Sequence, residues 1–219
     1  MLNAPTPRTR LRRLPERGRF DEATIHAILD EGFVCHLGFV EDGKPVVIPT
    51  CYGREGDAVF VHGSAASRMM RALSGGIDVC MTVTLVDGIV LARSGFHHSI
   101  NYRSVVIFGS AELLQAEAEK EHALAVITNH IVPGRWEGGL RPATSQEIKG
   151  TTVLRLALDE CSAKVRTGGP KDEPEDRDWP VWAGVLPLTI TAGAPAADGY
   201  VPSSMQPPEY LRPWKRPSP

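Results

Sequence analysis

The residues of this chain best placed to do chemistry lie in the run VFVHGSAASRMMRAL, residues 59–73. A strand-like stretch stops at His62, Gly63 allows an unusual backbone angle, and Ser64 or Ser67 can cap the helix that follows. Arg68 then projects from the first turn of that helix. Backbone N–H groups, hydroxyls and a guanidinium gathered at one point suit a phosphate group. The same residues also make an ordinary helix cap with a solvated arginine, so the run by itself leaves both readings open. It lacks the Gly-rich Gly-Lys-Ser/Thr signature of a P-loop, and its neighbours do not spell a Rossmann unit.

The remaining reactive side chains are more scattered. His97 and His98 are adjacent, so on a strand they face opposite ways, and their spacing suits no standard zinc pattern. His122 and His130 fall on one helical stretch at a separation wrong for a shared metal. Cys51 has no cation beside it in sequence to lower its pKa and reads as an inert thiol. Trp136, in PGRWEGG, reads as a loop anchor. No Gly-x-Ser-x-Gly elbow or paired carboxylates point to hydrolysis. No residue declares itself as a catalytic acid or base, and no metal site is expected.

The elements that must position these groups can be read from pattern. With 219 residues the chain can bury a large core without disulfides, and 42% hydrophobic and 23% charged residues are ordinary globular values. Twenty-four Lys and Arg against 26 Asp and Glu leave a net charge of −2, which does not suggest nucleic acid or a membrane surface as partner. No apolar run is long enough for a membrane span, and no apolar stretch follows the basic start, so a secretory signal is not expected. The four cysteines form no CxxC pair. A reducing cytoplasm is the expected location.

Residues 1–19 carry six arginines and three prolines without periodicity and read as an extended arm, lying on its own protein or a partner subunit. Asp21 opens a helix with Ile25, Ile28 and Leu29 on one face, closed by Gly32. FVCHLGFV (33–40), the turn EDGK and PVVIPTCYGR (45–54) predict a hairpin, followed by the strand AVFVH (58–62). IDVCMTVTLVDGIVLAR (77–93) reads as a second hairpin turning at Asp87-Gly88. YRSVVIFGSAELL (102–114) is a long strand with a bulge at its glycine, 116–131 a helix, and TTVLRLALDECSAKVR (151–166) one further strand. About seven hairpin-linked strands with inserted helices predict a mainly β fold, an antiparallel barrel with peripheral α-helices over residues 20–190. From residue 187 the chain holds eight of its 18 prolines, so 191–219 is read as a tail without regular structure.

Four pieces in order resemble one known family: HLGFVEDGKPVVIPTCYG, VFVHGSAASRMMRAL, NYRSVVIFGSAELL and KVRTGGP…EDRDWPVWAGVLPL. Residues ~20–190 are similar to the pyridoxamine 5′-phosphate oxidase-related flavoproteins, the FMN-binding split-barrel group, and most of all to its nitroimidazole-reductase-like branch. The resemblance implies that Ser67 and Arg68, with Ser64 beside them, hold the FMN phosphate, and that His62 lies near the ribityl chain or ring. It places Pro49 and Thr50 at the ring edge, Ser104 and Arg103 on a second flavin-lining strand, and Trp182 over the flavin or its substrate face. It further implies a homodimer with FMN at the subunit interface. The tail PPEYLRPWKRPSP lacks the Arg/His clamp of an authentic pyridoxamine phosphate oxidase, so that activity is not expected.

The function expected from these residues is that of an FMN-dependent oxidoreductase, passing electrons from a reduced nicotinamide-type donor to a small planar acceptor. Two alternatives stay open: a flavin-nucleotide binding or sensing protein without turnover, and the same barrel holding haem or a deazaflavin.

Overall fold

Alternation of apolar and polar residues builds the sheet. In the computed structural model, which describes residues 5–211, Val79, Met81, Val83 and Leu85 of one long strand point into the core, while Cys80, Thr82, Thr84 and Val86 point out. The strands are β1 (Gly18–Arg19), β2 (Val34–Glu41), β3 (Lys44–Glu55), β4 (Ala58–Ser64), β5 (Asp78–Leu91), β6 (Ser99–Ser110), β7 (Glu112–Leu113), β8 (Thr151–Ala157), β9 (Glu160–Arg166) and β10 (Gly184–Pro187). Their order is β1-β9-β6-β5-β2-β3-β4-β8-β7, with β10 added to the far end of β5, and every pairing is antiparallel. Residues from β8 and β9, near opposite ends of this order, meet in one core with β2 to β6, so the sheet is rolled into a barrel.

Four helices sit around the barrel: α1 (Glu22–Glu31), α2 (Arg68–Ser74), α3 (Glu117–Ile131) and α4 (Ser145–Gly150). Asp21 caps α1 by accepting from the Thr24 N–H at 2.8 Å, and Ile25, Ile28 and Leu29 are buried under the helix. The fully buried Tyr52 of β3 donates its hydroxyl hydrogen to the Leu29 carbonyl, tying α1 to the barrel. On the other side of β3, α3 lies directly on Gly53. A Cβ there would come within 2.8 Å of Ile127 backbone atoms, so only glycine permits this approach. A second, smaller cluster of Ala58, Phe60, Leu114, Ala123, Ile127 and Val153 fills the space beneath α3.

Two sequence expectations give way. The segment 77–93 is not a hairpin: β5 runs unbroken through Asp87-Gly88, where only the register with β6 shifts, because β6 continues to offer it a ladder on that side. The segment 151–166 is two strands, β8 and β9, since the chain turns at Leu158-Asp159 to pair with β4 on one hand and β6 on the other. Of the arm, residues 15–17 form a 3₁₀ turn and Gly18–Arg19 pair with β9. Thr6 donates to Glu160 at 2.5 Å and the Arg8 guanidinium lies 4.6 Å above the Phe108 ring, so the described part of the arm rests on its own subunit.

The Asp42-Gly43 turn takes positive φ at both positions, as a two-residue hairpin turn requires. Beyond β10 the described tail has no regular element except one 3₁₀ turn at Glu209–Leu211, where Tyr210 accepts a hydrogen bond from Arg135. The first four residues of the arm and the tail beyond Leu211 lie outside the described residues. Among the described residues no helix is long and apolar enough to cross a membrane.

Candidate functional site: the split between β3 and β4

The two strands part company at Tyr52 and Val61. Their pairing covers only Tyr52–Glu55 with Ala58–Val61. The rest of β3, Lys44–Cys51, pairs with β2, while His62, Gly63 and Ser64 of β4 pair with β8. A gap therefore opens beside β3 from Thr50 toward Val46 and beside β4 from His62 to Ser64. Helix α2 begins four residues further on.

Five of the sequence-predicted site residues, Thr50, His62, Ser64, Ser67 and Arg68, stand on the strands and helix that border this gap. Thr50 is half-buried and its hydroxyl reaches only a long 3.4 Å contact to the Cys51 carbonyl. The His62 ring is half-buried, and its Nδ1 is shielded from solvent with no hydrogen-bond partner. Burial pushes the His62 imidazole below its ordinary pKa, so the neutral form prevails. Ser67 occupies the N-cap position of α2 but makes no capping hydrogen bond, and Ser64 instead accepts from the Ala66 N–H at 3.2 Å. The cap expected from sequence is thus not made, which leaves the Ser67 hydroxyl uncommitted at the gap. Arg68 extends from α2 to Glu41, at the end of β2, and the ion pair bridges the mouth.

The other predicted residues are not gathered here. Pro49 is exposed beside His36 on the outer sheet face, because adjacent strand residues face opposite ways. Ser104 lies on the outer face of β6, three strands from β3 and so roughly 14 Å away. Arg103 is a correction. It shares the inward face of β6 with Val105 and Ile107, and its fork is held by Glu31 of α1 and Asp87 of β5, so it is a structural tie rather than a free cation. Those two carboxylates raise the Arg103 pKa further and keep it charged. Trp182 is 65% exposed, and its ring lies against Gly184, where a Cβ would meet it at 2.7 Å.

Sequence reasoning missed Glu41, although an acid at a hairpin end two residues before its glycine is a visible signal once α2 is known to lie nearby. It also missed a cluster in which His26 sits between Glu22 and Asp57, 3.3 Å from the latter. The histidines weighed as metal ligands are separated: His97 approaches Glu173 at 3.8 Å, His122 pairs with Glu55, and His130 donates to the Gly32 carbonyl. Cys35 is pushed up to about 12 by burial and is unreactive as a thiolate source.

A rolled antiparallel sheet that opens between two neighbouring strands, with a short helix at the opening, defines the split-barrel class. The chain belongs to the pyridoxamine 5′-phosphate oxidase family, whose model matches residues 21–165. Among solved structures it is similar to the flavocytochrome Anf3 from Azotobacter vinelandii, with 41% identity, a TM-score of 0.90, and 97% of this chain and 99% of that one covered. It is also similar to the FAD and haem binding protein from Mycobacterium smegmatis, with 36% identity, a TM-score of 0.86, and 90% and 96% covered. A comparison with curated protein sequences gives no match.

Proposed function

We propose that this chain is a flavin- and haem-binding redox protein that takes electrons from a reduced nicotinamide-type donor and passes them to a small planar acceptor. The observation that carries the reading is the likeness over nearly the whole length of both chains to two proteins described by a flavin and a haem. Because the likeness extends past residue 165, it includes the segment with Trp182 and the tail, and not only the barrel.

The residues present fit a flavin nucleotide. The orphaned Nδ1 of His62 is a buried polar atom awaiting a partner, and the split provides an unpaired strand edge beside it. In this reading Ser67 and Arg68 hold the phosphate next to the ribityl chain, Thr50 and His62 orient the chain or ring, and the backbone near Pro49 lines the ring edge. Sequence resemblance pointed to FMN, and one relative is named for FAD. Both carry that phosphate, so the same junction serves either. The residues also fit haem: His36 is an exposed imidazole on a sheet face with the exposed Val34, Val40 and Val47, and imidazole is a usual ligand of haem iron. Bound together, the two groups supply exchange between two-electron and one-electron carriers.

A homodimer completes the arrangement. Ser104 lies three strands from β3, so in this reading it lines, together with Trp182, the flavin held by a second copy. The apolar outer face supports such packing, and twofold association is the commonest kind. The test is the identity of the groups released from freshly purified protein. Chromatography should find FAD or FMN together with haem. Protein that binds neither after incubation with FAD, FMN and haemin would overturn the proposal.

A further inference from the structure

Three half-buried arginines of this barrel carry carboxylates. Arg54 is paired with Asp30, Arg93 with Asp172, and Arg103 with Glu31 and Asp87. Arg166, the last residue of β9, does not. It is only 6% exposed, its hydrogen bond goes to the neutral Oδ1 of Asn101, and among the described residues no carboxylate lies within 4.0 Å of it. Asn101 is itself 8% exposed, so the pair is a buried polar group without a counter-charge. A buried cation in that condition is strongly disfavoured unless an anion completes it.

The surroundings add positive charge rather than cancel it. Burial holds the Arg166 pKa down, and Arg17 lies close enough to lower it further. Gly18, its neighbour in sequence, pairs with Lys164, two residues before Arg166 on β9. Alternation puts Lys164 and Arg166 on the same sheet face, about 7 Å apart along the strand. That face continues to Tyr102 and Ser104 of β6, which pair with Arg166 and Lys164 respectively. The arm brings Arg17 there by pairing with β9, so the cluster is built by the fold and not by a mobile loop.

We infer that Arg166, with Arg17 and the Asn101 amide, forms an oxyanion site for the phosphate or carboxylate group of a bound ligand. A guanidinium fork matches two oxygens of either group, and Asn101, having given its oxygen to Arg166, keeps its NH2 to donate. The site stands at the opposite end of the sheet from Arg68 along the strand direction. Glu41, the partner of Arg68, lies beyond the β2–β5 register that ends at Val79, whereas Tyr102 pairs with Val86. The two cationic positions therefore serve separate anions. That the anion belongs to a cofactor rests on the function proposed above; the site itself does not.

The experiment compares the full chain with its Arg166→Gln and Arg166→Lys variants, with Arg141→Gln, an exposed arginine paired to Glu147, as control. Binding of FAD and of haemin is titrated, and the shift in melting temperature caused by inorganic pyrophosphate is recorded. Arg166→Gln should weaken one or both cofactors about ten- to a hundredfold and abolish the pyrophosphate shift. Arg166→Lys, which keeps the charge without the fork, should fall between, and the control should match wild type. Loss confined to FAD assigns the anion to a flavin phosphate, and loss confined to haemin assigns it to a propionate. The ligand-free Arg166→Gln protein should melt no lower than wild type, since a neutral amide replaces an uncompensated cation. If that variant does not fold, Arg166→Lys carries the comparison. Wild-type affinity of the variants for all three probes overturns the site. A wild-type chain that takes up neither cofactor sinks the proposed function, while the pyrophosphate arm still decides the oxyanion site.

Discussion

Arg68 of α2 and Glu41 of β2 form an ion pair across the mouth of the split between β3 and β4. The pair is partly exposed, so it contributes at most about 1 kcal/mol to stability. Its greater effect is on binding, since the guanidinium that would meet a flavin phosphate must be shared with a carboxylate. Arg68→Ala should therefore weaken flavin binding about ten- to a hundredfold. Glu41→Gln should strengthen it by up to about fivefold, most at low salt. Fluorescence titration with FMN and FAD measures both. Opposite signs for the two variants are the expected result, and equal losses would remove the phosphate from this junction.

Acid should destabilise the protein through two half-buried imidazoles. Burial lowers the pKa of His62 and is also the largest cause of the lowering at His130, where the Gly32 carbonyl opposes it. Near pH 6 the unfolded chain then binds more protons than the folded one, so stability rises with pH in that range. The melting temperature should fall as pH drops from about 7 through the ordinary histidine value toward the lower folded values. Below those it should no longer respond to these groups. A His62→Gln, His130→Gln chain should show a flatter profile over the same window, whatever its absolute stability.

The contact between β3 and α3 depends on an absent side chain. Gly53→Ala would place a Cβ 2.7 Å from Ile127 Cα, and backbone cannot yield as a side-chain end can. The cost should reach roughly 1–3 kcal/mol or more, read as a lowered urea midpoint. Gly56→Ala provides a contrast: its Cβ would meet nothing, but its φ of 53° makes the cost one of turn strain.

Much of this could be read in the chain before folding. Asp21, the apolar face of α1 and the Asp42-Gly43 turn are local signals, and each appears where its chemistry requires. The junction at His62–Arg68 was legible for the same reason: a strand end, a glycine and two serines in a row need no tertiary partner to be recognised. What escaped was non-local. Residues 77–93 carry a hairpin's Asp-Gly and still run straight, because β6 and β10 flank β5 beyond that point. Arg103 sits next to a flavin-facing candidate in sequence, yet the pleat sends it inward to Glu31, 72 residues away. Arg166 looked like one more strand residue until its lack of a carboxylate set it apart from the half-buried Arg54, Arg93 and Arg103.

If Ser104 and Trp182 complete the flavin site of a second copy, assembly and cofactor content should fall together. Val47, 65% exposed on the outer face of β3, is the position to disturb. Val47→Glu should shift light scattering from a dimeric to a monomeric mass and lower bound flavin in the same samples. A monomer that keeps its full flavin content would contradict the shared site.

Two redox groups held in communication by this protein should exchange electrons on anaerobic mixing with a donor. The purified protein is mixed with a reduced nicotinamide dinucleotide while the flavin and haem absorption bands are followed. The flavin bands should bleach first, and the haem bands should then shift to the reduced form. A protein that shows flavin bands and no haem, or whose haem stays oxidised after the flavin has bleached, would contradict this exchange.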